Sequence, residues 1–298
     1  MKFGGSMFNR LKSTFVDDSA FMGLTHGISA LAIVLALTAF LPNWLDWALG
    51  DFNLPGVLLF GLVVMGGAFI CDLDNTSATA ISALGPLGKG LSIVFRGSSS
   101  AMQTLVRTKR DASEPNPHRG FWHTPLVGAP LLGGLVILLG RVGANTYFTP
   151  PLIGEITVGN FITLLLASLI IHVGLSGVFV KFMKKIKKNP LIGDLLGFVF
   201  SFVLTLSLFA MIPHGMNGWW PGLALTIGMI IHILGDWFTT AGVPLLFPFS
   251  AILKGKFWWT FRLTKIKAGG VVEKFIFVPV FIIVAIVSVL MIIGELAM

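Results

Sequence analysis

Long, nearly uncharged apolar runs recur along this chain, and they constrain its fold more than any other feature. Seven of them lie at about 22–41, 54–71, 125–140, 158–180, 191–212, 219–235 and 275–294. Each approaches or reaches the ~20 residues a helix needs to cross the hydrocarbon core of a bilayer. Only helices and closed barrels satisfy their backbone polar groups in lipid, so runs of this length predict helices. The expected fold is all-α, a polytopic integral membrane bundle of about seven transmembrane helices forming a single membrane domain over 1–298. Charged residues make up 11% of the chain, far below the roughly one quarter usual in soluble domains. The third run, PLVGAPLLGGLVILLG, is short and glycine-rich, so its helix either starts near Phe121 or crosses with little tilt. The first run follows basic residues as a signal peptide would, but it is long and lacks a small-x-small cleavage site before Pro42, so it is read as a retained helix.

The basic residues set the expected topology. Of 21 Lys and Arg, all but Arg141 fall before the first run, between the second and third, between the fourth and fifth, or between the sixth and seventh. Seven alternating spans put those segments on one side, which the positive-inside rule makes the cytoplasm, N-terminus included. The net charge of +8 then reflects loops facing anionic lipid, with membrane lipid rather than nucleic acid as the partner. Cytoplasmic segments are expected at 1–21, 72–124 and 236–274. The second is too long for a plain connection, and its LSIVFRGSSSAMQTLVRTKR mixes apolar and basic residues as an interfacial segment does. The single cysteine, Cys71, excludes an intrachain disulfide.

On this map the imidazoles and carboxylates collect at one face. THG places His26 at the start of the first helix, and CDLDN places Asp72 and Asp74 at the end of the second. HRGFWHT brings His118, Arg119 and His123 to the entry of the third, and HILGD brings His232 and Asp236 to the end of the sixth. Ionisable groups at a membrane face are costly and tend to pair or to bind something. Imidazoles with carboxylates suit zinc, manganese or iron, and clustered carboxylates call for a cation. His232 and Asp236, four residues apart, share a helix face. Asp72 and Asp74 would diverge on a helix, so at least one is expected beyond its end. His123 can join the coordination sphere, while the planar fork of Arg119 suits a phosphate and Gly120 permits a tight turn. A water activated by the ion would be the nucleophile.

Each signal also has a plainer reading. His26 could cap its helix, and His232 with Asp236 could be an interhelical hydrogen-bond pair. An Asp-x-Asp can be a solvated helix end, although acids there oppose the helix dipole. His172, with Ser168 and Ser176 at four-residue spacing, reads as interhelical hydrogen bonding. Cys71 reads as a buried thiol whose place beside Asp72 leaves a ligand role open.

Together these motifs resemble the bacterial inner-membrane family of membrane-bound metal-dependent hydrolases typified by YdjM. That family runs from an early histidine through an Asp-x-Asp to an HRGxTHS-like box and an HxxxDxxTxxGVPLLxP box. The last reads HILGDWFTTAGVPLLFP here, with weaker echoes in FRL (261–263) and VEKF (272–275). Cys71 replaces a usual proline, Asn75 stands where a histidine is frequent, and Trp122 and Thr124 replace Thr and Ser, which is expected to make the pocket rim bulkier. The resemblance implies a multi-pass protein of the bacterial inner membrane with metal-dependent hydrolase chemistry. Expected ligands of one or two divalent ions, zinc or manganese, are His26, Asp72, Asp74, His123, His232 and Asp236. Expected catalytic groups are His118, Arg119, His123 and Asp236, with His118, Arg119 and Arg262 binding substrate and Thr124, Thr239 and Glu273 in support. The expected substrate is an amphiphilic, lipid-like phosphoester. A transporter or channel, or a noncatalytic protein with a structural metal, is the alternative.

Overall fold

The computed structural model describes residues 18–46, 53–109, 111, 118–150, 155–178, 190–212, 218–239, 242–263 and 270–296. Lys2, Arg10, Lys12, Arg110, Lys265, Lys267, His214 and the lysines within 181–188, on which part of the topology reading rests, lie outside them.

Every apolar run forms a helix. In chain order the helices are α1 (Asp18–Phe40), α2 (Leu54–Ile70), α3 (Thr79–Ala83), α4 (Gly85–Leu105), α5 (Gly128–Arg141), α6 (Val158–Val178), α7 (Pro190–Ala210), α8 (Trp220–Trp237), α9 (Ser250–Lys254) and α10 (Val278–Leu296). One two-residue antiparallel pair, β1 (Tyr147–Phe148) with β2 (Ile156–Thr157), links α5 to α6. The molecule is an all-α membrane bundle. Among the described residues, five stretches are long and apolar enough to cross a membrane: Gly23–Phe40, Leu54–Asp74, Val158–Val178, Ile192–Ala210 and Glu273–Glu295. The 14 residues of α5 rise only about 21 Å, short of the ~30 Å core. α8 packs between α2 and α5.

α2 is the central helix, packed on by α1, α6 and α8. It is buried along most of its length, from Val57 and Phe60 to Ala68 and Phe69, as expected for a helix that is apolar all round. Lipid tails are as apolar as leucine, so close backbone approach at small residues, rather than hydrophobic burial, drives helices together in a membrane. A Cβ at Gly66 would fall on the Ile170 carbonyl of α6, and one at Gly67 would lie 2.9 Å from the Leu225 carbonyl of α8. Gly228 of α8 meets the Val64 carbonyl in the same way. α7 and α10 turn Leu195, Phe200, Ile283 and Leu290 outward, the apolar sleeve a bilayer would cover.

The expected loop at 72–124 is largely helical where it is described. A 3-10 turn (Cys71–Asp74) closes α2, and α3 and α4 follow. α4 buries Gly88, Ser92, Phe95 and Ser99 and exposes Leu87, Ile93, Val94 and Leu105. Its small and hydroxyl side chains therefore face the protein, while apolar ones face outward as on an interfacial helix. Asp111 ties the end of this region to the segment after α9. Its carboxylate accepts from the Thr108 N–H and hydroxyl at 2.8 and 2.7 Å and from the Trp258 and Phe257 N–H groups at 3.1 and 3.2 Å. Burial pushes this carboxyl up, but those hydrogen bonds outweigh it and hold its pKa below the ordinary aspartate value. His172 sits on α6, its Nε2 3.0 Å from the Ala83 carbonyl at the end of α3. That contact is the expected interhelical hydrogen bond.

The α2–α6 crossing generates a test. Gly66→Ala should separate the two backbones and cost about 1–3 kcal/mol, as overpacking does, lowering the thermal midpoint in detergent. Gly134→Ala on α5, where a Cβ meets nothing within 4 Å, should leave the midpoint unchanged. Equal midpoints for both variants would show that the crossing tolerates a methyl group.

Candidate metal centre

The N-terminal part of α1, the C-terminal ends of the parallel neighbours α2 and α8, and the entry to α5 meet at one end of the bundle. Tightening of the last turn of α2 into a 3-10 helix rotates both Asp72 and Asp74 toward the other three elements. Before α5, Phe121–His123 makes another 3-10 turn. It is fastened to α4: the Phe121 N–H donates to Ser99 Oγ (3.2 Å), and Trp122 Nε1 donates to the Phe95 carbonyl (3.1 Å) and Ser98 Oγ (3.0 Å). Trp122 stacks on Phe95 with ring centroids 4.5 Å apart. It is buried against α4 and does not enlarge a pocket rim, contrary to expectation. Thr124 donates to the Phe121 carbonyl (2.7 Å) and accepts from the Gly128 N–H (2.7 Å), so it shapes the start of α5.

Around these anchors the charged and imidazole groups converge. His123 Nε2 lies 3.4 Å from Asp72 Oδ1 and 3.7 Å from Asp236 Oδ2, while its Nδ1 is 3.7 Å from Asp74 Oδ2. His232 Nε2 lies 3.3 Å from Asp72 Oδ1 and 3.6 Å from Asp236 Oδ2. His26 Nε2 is 3.5 Å from Asp236 Oδ1, with its ring centroid 4.1 Å from that of His232. The close approach depends on Gly235, where a Cβ would sit 2.7 Å from the His26 ring. His123, His232, Asp74 and Asp236 are each at most 3% exposed.

Arg119 and His118 both make contacts within the cluster. Arg119 adopts φ +67°, an uncommon left-handed conformation for a side chain other than Gly, Asn or Asp. Gly120, the residue expected to make the turn, has φ −91°. The turn aims the Arg119 guanidinium inward, with Nη2 3.0 Å from Asp236 Oδ1 and Nη1 donating to Thr239 Oγ1 at 2.8 Å. Thr239 in turn donates to the Asp236 carbonyl at 2.7 Å. The arginine thus holds an aspartate of the cluster as well as facing the site. His118, expected to contact substrate, places Nδ1 2.8 Å from Asp74 Oδ1 and Nε2 3.9 Å from Asp72 Oδ1. Asn75 approaches the same ring, its Nδ2 3.5 Å from His118 Nε2. Arg262 is exposed, next to Phe261, which pairs with Val243 in an isolated β-bridge. Glu273, buried in a π-helical turn before α10, shares a cavity with His26 and Thr239.

Among the described residues, three groups of side chains could hold an ion: Asp72, Asp74, His118 and His123; His26, His232 and Asp236; and Cys71, His123 and His232. Both ring nitrogens of His123 and of His232, Asp74 Oδ2 and Asp236 Oδ2 are buried without a hydrogen-bond partner among the described residues. Orphaned polar atoms of this kind cost free energy unless something pairs with them, and imidazole nitrogen with carboxylate oxygen is a divalent-metal donor set. The site therefore fits one or two ions. Cys71 Sγ also contacts the Trp122 carbonyl at 3.6 Å. Its place in the third group is signalled in the sequence only by its position next to Asp72.

Residues 194–296 match the family model of the YdjM inner membrane protein. Over that stretch the chain is similar to the YdjM inner membrane protein. No curated protein and no solved structure matches the chain. The matched YdjM stretch supplies His232, Asp236, Thr239 and Glu273, whereas His26, Asp72, Asp74, His118, Arg119 and His123 reach the site from residues before it.

The contact between Gly235 and His26 can be tested directly. Gly235→Ala should push the imidazole off Asp236 while leaving the bundle intact. Disturbing the orientation of a metal ligand typically weakens affinity about 10–100-fold, so zinc or manganese titration of the variant should show a loss in that range. Wild-type affinity would remove His26 from the ligand set.

Proposed function

We propose that this protein is a multi-pass enzyme of the bacterial inner membrane, with its N-terminus in the cytoplasm. On this reading it is a metal-dependent hydrolase acting at the cytoplasmic membrane face on the phosphoester of an amphiphilic, lipid-like substrate. One observation carries the reading: four helix ends meet in a buried cluster of imidazoles and carboxylates whose inward atoms lack hydrogen-bond partners. The YdjM inner membrane domain supports the location, and the distribution of basic residues supports the orientation.

The residues that would hold zinc or manganese are His26, Asp72, Asp74, His123, His232 and Asp236, with His118 close enough to Asp74 to share the work. A divalent cation bound there supplies Lewis acidity and a source of hydroxide at neutral pH. Asp72, Asp74 and Asp236 against Arg119 leave a net charge of −2 with the imidazoles neutral. A second divalent ion would turn that balance positive and attract a phosphate. Arg119 uses two of its amino groups on Asp236 and Thr239, and its remaining N–H donors can meet a phosphoryl oxygen. His118, about a quarter exposed along its side chain, is the imidazole best placed to pass a proton to a leaving oxygen.

Purified protein loaded with zinc or manganese should release phosphate or a phosphorylated headgroup from at least one member of a phospholipid and polyprenyl-phosphate panel. Arg119→Ala should reduce that rate by about 10²-fold or more, the scale of losing one preorganised charged donor. A metal-loaded, monodisperse protein inert on the whole panel would refute the substrate class. Ion flux into proteoliposomes that disappears in His232→Ala would reassign the protein to transport.

A further inference from the structure

Beside the cluster lies a cavity of about 400 Å³ lined by residues of α1, α8 and the last helix with its π-helical lead-in. That volume falls in the range of sites that enclose part of a small ligand. Its walls are not uniform. Thr25, His26, Thr239 and Glu273 stand at the end nearest the carboxylates, and Ile33, Ile231, Phe277 and Phe281 line the deeper part. From His26 to Ile33 along α1 is about 10 Å at 1.5 Å per residue, a third of the ~30 Å hydrocarbon core. The polar-to-apolar gradient therefore runs from the membrane face toward the midplane. Between these two ends, Ser29 donates to the His26 carbonyl at 3.1 Å, so it leaves no unmet donor toward the apolar part.

The helix arrangement also gives this cavity a way in from the side. α8 and α10 both pack on α1, and the crevice between them is flanked by Leu234 and Phe238, 38% and 40% exposed. Both lie within two residues of Asp236, so the opening meets lipid at the membrane-face end of the cavity. A soluble substrate would gain nothing from such walls, whereas a membrane amphiphile exchanges one hydrocarbon environment for another while its head reaches the ions.

We propose that the crevice between α8 and α10 admits one hydrocarbon chain of a membrane amphiphile, holding its first segment against Ile33, Ile231, Phe277 and Phe281 so that the phosphoester lies at His26 and Arg119. This rests on the reading of the cluster as a phosphoester hydrolase site, and it adds the lateral route and the chain-binding wall.

The test uses full-length protein in nanodiscs, loaded with zinc, and an alkyl phosphonate carrying a diazirine on the first part of its chain. After irradiation, cross-links should map to peptides containing Ile33, Ile231, Phe277 or Phe281. Unlabelled alkyl phosphonate should compete and inorganic phosphate should not. Ile33→Trp, which fills the deep end, should lower labelling about tenfold or more, equivalent to about 1.4 kcal/mol, with metal content unchanged. Labelling scattered over the outward faces of α7 and α10 would overturn the proposal, as would cavity labelling indifferent to Ile33→Trp. If Ile33→Trp does not fold, the wild-type cross-link map and its competition decide alone. Hydrolysis of a short, soluble phosphoester, measured in the same preparation, separates the two claims. Turnover without cavity labelling removes the chain site and keeps the hydrolase, while labelling without turnover on any substrate keeps the chain site and removes the hydrolase.

Discussion

The mutual repulsion of Asp72, Asp74 and Asp236 is the constraint on which the rest of this structure depends. Three carboxylates share one small volume at the end of a helix bundle, two of them almost fully buried. At that depth like charges are costly, and one arginine does not balance them. The chain surrounds them with His26, His118, His123 and His232, yet leaves buried nitrogens of His123 and His232 and oxygens of Asp74 and Asp236 without partners. Imidazoles that served only in hydrogen bonds would be turned so that each nitrogen found a partner, an acceptor for the N–H and a donor for the other. A donor set left open toward its own centre is what a cation requires.

The bundle exists to hold that set still. α2 contributes the two aspartates of its 3-10 end, and glycines on α2 and α8 let the helices bearing Asp72 and Asp236 approach at backbone distance. α4 has a different task. Its hydroxyl face holds Phe121 and Trp122, which fixes the turn carrying His123, while its apolar face is free for lipid. Arg119, in a left-handed backbone conformation, spans from that turn to Asp236 and Thr239 and couples the entry of α5 to the end of α8. Concentration of the ionisable groups at one end, with His172 engaged by a helix-end carbonyl, suits an interfacial site better than a path through the membrane.

Much of this was legible in the sequence because two of its signals are physically strong. Long apolar runs leave a chain few alternatives to helices, and all seven runs are helical, although α5 is too short to span the core and α8 is wrapped by its neighbours. Alternating crossings bring the helix ends that carry His26, Asp72, Asp74, His123, His232 and Asp236 to one face, so these residues could be grouped beforehand. What stayed hidden depended on direction rather than position. The left-handed turn falls on Arg119 and not on Gly120, Trp122 points into α4 rather than over the site, and Arg262 lies on an exposed segment. No local pattern encodes these orientations. The cavity beside His26 was equally invisible, since its walls come from three helices far apart in the chain. No sequence signal singles out Asp111, and only the fold brings the Phe257 and Trp258 amides to its carboxylate.

The central claim is that the cluster holds a metal ion, and elemental analysis of detergent-purified protein tests it most directly. Wild type and Asp236→Ala should be compared at equal monodispersity, each before and after reconstitution with zinc and manganese. The account predicts about one or two equivalents of a divalent transition metal in wild type and a clear loss in the folded variant. No metal in wild type even after reconstitution would contradict it, and would make these residues an interhelical hydrogen-bond network.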